Sequence, residues 1–192
     1  AGKLTRVIEA VSEGGLRALE ITMTTPGALD LIKEVSGQVG EDFLLGAGSV
    51  LDPETARQAI LAGAEFIVSP ISKRELIEMG HRYDKPVIPG AFTPTEVLTA
   101  WEQGADVVKI FPASAVGPKY LKDIHGPLPQ VKLTPTGGVN LDTAGDFLNM
   151  GASFVCVGSA LLDKQAIANE NWEVLTERAD QFMKAVRKAR EG

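Results

Sequence analysis

The sequence predicts an α/β fold of parallel strands alternating with helices, closed as a (β/α)8 barrel, and three observations predict it. Four segments repeat one order of features, a helix end, a glycine, a small or polar connector and an apolar strand, at Gly14-Gly15, Gly63, Gly104 and Gly151. Their spacing of about 40 to 50 residues is too long for one strand–helix unit and suits two. Three candidate strands also run directly into a helix-capping residue followed by proline, at Thr25-Pro26, Asp52-Pro53 and Thr93-Pro94, the anatomy of short connections into helices of a parallel sheet. An open, dinucleotide-binding sheet fits less well, because Gly46-Ala47-Gly48-Ser49-Val50-Leu51 lacks the third glycine and opens no immediate helix.

Taken in order, the chain opens on a helical stripe, Leu4, Val7, Ile8 and Val11. Strands are expected at 19–22, 43–46, 66–68, 86–89, 106–111, 131–134 and 154–156. Thr93-Pro94-Thr95-Glu96 has the form of a capping box. Trp172, Leu175, Ala179, Phe182, Met183 and Val186 form one face of a last helix, with Lys184, Arg187, Lys188 and Arg190 complementing its C-terminal dipole. These are seven strands where a closed barrel has eight, with no room for one before the opening helix. Residues 1–192 are therefore expected to form a single barrel domain lacking its N-terminal strand, with the natural protein beginning some residues earlier.

The 192 residues, 44% of them hydrophobic, suit one ordinary soluble domain. A net charge of −6, with scattered lysines and arginines, argues against nucleic acid as a partner. No apolar run approaches the roughly 20 residues of a membrane span, and the opening Ala-Gly-Lys-Leu-Thr-Arg is no signal peptide, so a cytoplasmic protein is expected. The single cysteine, Cys156, lies in an apolar run and reads as a buried small hydrophobe in a reducing compartment. His81 and His125, read as surface or loop residues, lie far apart without metal-ligand spacing, and no metal site is expected.

Both faces of a parallel barrel strand are buried, so charged residues in such strands need a reason. In 106–111, Val107, Lys109 and Phe111 share one face while Val108 and Ile110 share the other. The wholly apolar face should meet the helices, which turns Lys109 inward. The same alternation sends Glu20, Thr22 and Thr24 inward from Leu19-Glu20-Ile21-Thr22-Met23-Thr24. A buried ion pair retained for specificity is the plain explanation. Position favours chemistry, because Pro112 ends the strand just after Lys109 and sets the amine toward the C-terminal mouth where barrel enzymes keep their sites. Lys132, at the start of its strand, serves as a control with no chemical role. Burial disfavours the charged form of an amine, and a neutral amine attacks a ketone to form a Schiff base, with a carboxylate such as Glu20 moving protons.

Pro135-Thr136-Gly137-Gly138-Val139 and Val157-Gly158-Ser159-Ala160 follow the last two strands, where barrels frequently hold phosphate. Their glycines let backbone N–H groups approach an anion, and a short helix starting near Ser159 would add its dipole. Ser49 is a candidate donor to a bound carboxylate.

With these motifs in fixed order over nearly the whole chain, together with Ser69-Pro70, Pro89-Gly90 and Lys109-Ile110-Phe111-Pro112-Ala113, the sequence resembles the class I aldolases that cleave 2-keto-3-deoxy-6-phosphogluconate (KDPG) or 4-hydroxy-2-oxoglutarate. The resemblance implies Lys109 as the Schiff-base lysine and Glu20 as general acid and base. It places Ser49, where the family usually has threonine, near the pyruvate carboxylate, with Pro70 and Phe111 lining the pocket and Thr24 and Thr136 on the substrate. Gly137, Gly138, Gly158 and Ser159 fall at the phosphate end. It further implies reversible cleavage of a 2-keto sugar-acid phosphate to pyruvate and glyceraldehyde 3-phosphate, no cofactor or metal, and a homotrimer. Some members carry arginine where this chain has Thr24, and no arginine is found among the inward positions here. A phosphate-binding barrel isomerase or synthase, or a non-catalytic metabolite-binding or assembly barrel, are the competing readings.

Overall fold

The glycine repeat seen in the sequence is a repeat of helix endings. In the computed structural model, which describes residues 2–40 and 42–191, Gly15, Gly63, Gly104 and Gly151 all adopt left-handed φ values between 97° and 117°. Each donates its N–H three residues back, and the next residue donates five residues back: Leu16 to Val11, Ala64 to Ala59, Ala105 to Ala100 and Ala152 to Phe147. That pair of bonds is the Schellman motif, which satisfies the last carbonyls of a helix and turns the chain out of it. Asp84 and Glu170, with φ of 55° and 56°, end two further helices by the same pair of bonds, through Lys85 to Gly80 and Asn171 to Ala166.

The elements run α1 (Gly2–Glu13), β1 (Ala18–Thr22), α2 (Ala28–Ser36), β2 (Leu44–Gly48), α3 (Pro53–Ala62), β3 (Phe66–Val68), α4 (Arg74–Arg82), β4 (Val87–Ile88), β5 (Gly90–Ala91), α5 (Pro94–Glu102), β6 (Val108–Ile110), α6 (Pro118–His125), β7 (Leu133–Pro135), α7 (Leu141–Asn149), α8 (Lys164–Ala168) and α9 (Trp172–Glu191). They make two compact units, Arg17–Lys109 and Gly2–Leu16 with the chain from Ile110 onward.

In the first unit β1, β2, β3 and β4 pair in parallel and in chain order. Ile21, Leu45, Ala47, Ile67 and Val87 are buried, and α2 and α3 pack on β1 and β2. Each fully buried aliphatic side chain of this kind contributes about 1.5–3 kcal/mol. The strand expected at 86–89 is split, because Pro89 has no N–H to donate to a ladder. The Pro89 carbonyl still accepts from Lys109 N at 2.9 Å.

In the second unit α1 and α9 pack together, with Val7, Ile8, Ala10 and Val11 against a face that includes Leu175, Ala179 and Phe182. The strand expected at 154–156 is replaced by two isolated parallel bridges, Leu133 to Ala152 and Thr136 to Cys156. The first bridge spans 19 residues and the second 20, so the register slips by one between them, as at a bulge. The Thr134 hydroxyl donates to the Phe154 carbonyl at 2.9 Å within the slip.

Two of the three expected caps form. Asp52 accepts from Thr55 N at 2.7 Å, and Thr93 with Glu96 makes the complete capping box. Thr25 does not cap α2: an extra turn intervenes, with Gly27 at φ 70° as the N-cap and no side chain bonded to it. His81 and His125 lie in the last turns of α4 and α6, His81 at the surface as expected and His125 partly buried. His81 Nε2 meets Asp106 Oδ2 at 3.0 Å, and His125 Nε2 meets the Val131 carbonyl at 2.9 Å.

Candidate active site

Lys109 is held at the middle of β6 between Val108 and Ile110, both fully buried, and is itself 5% exposed. An ammonium group so enclosed needs a partner, because desolvation opposes its charge. Glu20, in the middle of β1, supplies one. Burial holds the Glu20 carboxyl above the ordinary glutamate range, and the charge of Lys109 pulls it back down. Burial of Lys109 and the pull of its charge on Glu20 bring the two side chains into one neighbourhood within the first unit. Lys132, expected at the start of its strand, is exposed and lies just outside β7.

β2 makes room for the acid. A Cβ on Gly48 would lie 2.6 Å from Glu20 Oε1, and one on Gly46 would lie 2.3 Å from the Phe66 ring. The Gly-Ala-Gly run, unremarkable as a failed dinucleotide motif, is a bare strip of strand against which a carboxylate and a phenyl ring lie. Its role was hidden in the sequence because Glu20 sits 28 positions away. Ser49 follows at φ 56°. Unlike Asp84 and Glu170 it ends no helix, so its left-handed backbone is strain of the kind that collects at functional sites.

Thr24 lies beyond the end of β1 and is exposed, rather than on the inward face. The strand stops at Thr22, whose hydroxyl bonds those of Thr24 at 2.9 Å and Thr25 at 3.4 Å. Thr24 lines a hollow of about 610 Å³ together with Pro26, Gly27, Thr55 and Gln58. The Pro70 carbonyl sits where a Cβ on Gly90 would be, at 2.3 Å. Phe111, just past β6, is 37% exposed.

The second unit brings Thr136, Gly137, Gly138, Gly158 and Ser159 together around a hollow of about 420 Å³. Gly137 and Gly138 have φ of 93° and 75°, and a Cβ on Gly138 would come within 2.6 Å of Ser114 Cβ. Among the described residues, the backbone N–H groups of Gly137, Gly138, Ser159 and Ala160 donate to no protein acceptor, and the buried Thr136 hydroxyl has no hydrogen-bond partner. Convergent donors without internal partners are what an anion requires. No helix starts near Ser159. A single turn stands there, in which Leu161 N and Leu162 N both donate to the Gly158 carbonyl, and α8 begins only at Lys164. Cys156 is not a buried hydrophobe but a half-exposed thiol lining the same hollow, 3.6 Å from the Thr134 hydroxyl. Among the described residues no group of three or more His, Cys, Asp or Glu is placed to hold a metal ion, and no helix is long and apolar enough to cross a membrane.

Parallel strands alternating with helices, a buried lysine on one strand with an acid on another in its field, and glycine turns after the late strands are features of a (β/α)8-class aldolase. The chain belongs to the KDPG and KHG aldolase family, whose sequence model matches residues 2–178. It is similar to the 2-dehydro-3-deoxy-phosphogluconate aldolase of Pseudomonas aeruginosa, with 37% identity over 166 residues that cover 85% of this chain and 74% of the relative. It is 34% identical to the 2-dehydro-3-deoxy-6-phosphogalactonate aldolase of Escherichia coli over 183 residues, 95% of this chain and 87% of that one. Among solved structures, the Legionella pneumophila KDPG aldolase, captured with pyruvate as a covalent carbinolamine, superposes with a TM-score of 0.87 at 35% identity, covering 93% of this chain and 87% of that one. Membership makes the protein a carbon–carbon lyase and disfavours the isomerase and non-catalytic readings.

Proposed function

We propose that this enzyme reversibly cleaves a 2-keto-3-deoxy-6-phospho sugar acid, KDPG foremost, to pyruvate and glyceraldehyde 3-phosphate. The observation that carries the reading is the buried Lys109 with Glu20 in its field. Lys109 Nζ adds to the C2 carbonyl to give a carbinolamine, which loses water to leave a protonated imine. Removal of the C4 hydroxyl proton breaks the C3–C4 bond and releases the aldehyde, while the imine takes up the electron pair as an enamine. Protonation of that enamine at C3 and hydrolysis return pyruvate and the free amine. Glu20 moves the protons these steps need, and burial, which raises its pKa above the ordinary glutamate range, favours the protonated form that a shuttle must be able to reach.

The donors around Thr136–Gly138 and Gly158–Ser159 take the phosphoryl group in this reading, which favours the phosphorylated substrate over 4-hydroxy-2-oxoglutarate. Ser49 donates to the substrate carboxylate, with Thr24, Pro70 and Phe111 further contacts. The family resemblance supports reading the enzyme as a cytoplasmic homotrimer that uses no cofactor. Incubation with pyruvate, borohydride reduction and mass mapping tests the centre of the proposal. A pyruvate-derived adduct on Lys109, absent from Lys109→Ala, is expected; no adduct in folded protein rejects it.

A further inference from the structure

The turn that borders the anion hollow is gripped from behind by one arginine. Arg178, on α9, donates from Nη1 to the Ala160 carbonyl at 3.3 Å and from Nη2 to Asp163 Oδ2 at 2.8 Å. Oδ1 of the same carboxylate accepts from Gln165 N and Ala166 N, both at 2.8 Å, and so caps α8. The guanidinium fork therefore ties both ends of the segment between Ala160 and Asp163 to the long last helix.

The direction of the turn's peptides follows from these bonds. The Gly158 carbonyl is taken by Leu161 N and Leu162 N. In a planar trans peptide the N–H points opposite to the C=O, so the Ser159 N–H is turned away from the turn's own bonds. The Ala160 carbonyl is held by Arg178, which fixes the peptide that carries the Leu161 N–H and so the turn as a whole, and Ser159 and Ala160, whose N–H groups no protein acceptor takes, both line the hollow. The guanidinium is matched by a carboxylate, which makes its contribution one of geometry more than of free positive charge. A lysine would keep the charge but present no planar fork to a carbonyl and a carboxylate together.

We propose that Arg178 is a positioning residue for phosphate recognition: by clamping the turn from Gly158 to Asp163 it holds the Ser159 and Ala160 N–H groups toward the phosphoryl group of the substrate. The proposal rests on the phosphorylated-substrate reading above and places the arginine behind the backbone donors, not on the ligand.

Wild type, Arg178→Met and Arg178→Lys are compared by ³¹P NMR titration with inorganic phosphate, by kinetics with phosphorylated and dephosphorylated substrate, and by borohydride trapping of pyruvate. Arg178→Met should weaken phosphate binding and raise KM for the phosphorylated substrate roughly tenfold, the scale of a small misplacement of binding groups. Its kcat, its pyruvate trapping and its kcat/KM toward the dephosphorylated substrate should stay within about twofold, since no group near Lys109 has moved. Arg178→Lys should behave more like the methionine variant than like wild type, and it carries the same comparison if the methionine variant does not fold. Unchanged phosphate affinity in Arg178→Met, equal losses on both substrates, or full recovery by lysine overturns the proposal. Absence of pyruvate trapping in wild type overturns the aldolase reading instead, and leaves the phosphate comparison to be read by itself.

Discussion

Gly48 occupies the place from which the Glu20 carboxylate would otherwise be expelled: a Cβ at position 48 would lie 2.6 Å from Glu20 Oε1 and 2.7 Å from its Cδ. Gly48→Ala should therefore push the acid off its position over β2. Activity should fall about a hundredfold through misplacement of a group on the reacting atoms, with only a small loss of stability, because the atoms in the way are the movable end of the Glu20 side chain. Steady-state kinetics and urea unfolding check both. Unchanged kcat with lowered stability would show that the glycine serves packing alone.

Glu20→Gln should lower kcat about 10²–10⁴-fold, the usual reach of a positioned acid or base. It should also change how stability depends on pH. A carboxyl harder to ionise in the folded state binds more protons there than in the unfolded chain. Its contribution is therefore fully present below the ordinary glutamate pKa and is lost as pH rises through the raised folded value. Wild type should lose stability relative to Glu20→Gln across that window, measured as the difference between their Tm values along a pH series.

Lys109→Met removes the charge that pulls the Glu20 pKa down while leaving the burial that pushes it up. The Glu20 carboxyl should titrate at still higher pH in that variant. Carbon-13 NMR of labelled glutamate reads the shift, and a downward movement would refute the electrostatic coupling of the two residues.

Gly138→Ala faces both a left-handed φ of 75° and a contact of 2.6 Å with Ser114 Cβ. The conformation alone costs about 1–2 kcal/mol for an L-residue. The displaced turn should raise KM for phosphorylated substrate while sparing pyruvate trapping at Lys109, which is scored beside the kinetics.

Thr93→Ala, by contrast, should leave kcat/KM unchanged and cost about 0.5–2 kcal/mol through loss of an N-cap. The capping box joins the Thr93 hydroxyl to Glu96 N and the Glu96 carboxylate to the N–H groups of Phe92 and Thr93. A loss of activity beyond the loss of folded protein would give α5 a catalytic part that its geometry does not explain.

The burial of Lys109 and its pairing with Glu20 are more legible in the sequence than the exact bounds of the strands around them. Lys109 and Glu20 are readable because strand alternation is a local rule, and a charge on a strand with no solvent face stands out. Asp52 and Thr93 are readable because a cap and a following proline sit side by side. Thr25 misleads because the same signal is overruled by one left-handed glycine two residues on. The strand expected at 154–156 fails for a reason no local pattern holds, a one-residue register slip against β7. Gly48 and Arg178 cannot be assigned a part from the sequence, and Cys156 misreads there as fully buried, because what surrounds each lies on a different segment of the chain. The glycine repeat, by contrast, is fully local, and every instance became the same helix ending.

Ser49 sets two kinds of selection against each other. At φ 56° its backbone would be easier for glycine or asparagine to hold, and nothing in helix termination asks for a serine there. A population evolved only for heat resistance should drift from serine at this position, and one held to substrate turnover should keep it. The residue's fate in such lineages would record how much stability the enzyme gives up to keep a hydroxyl where the chain least easily places one.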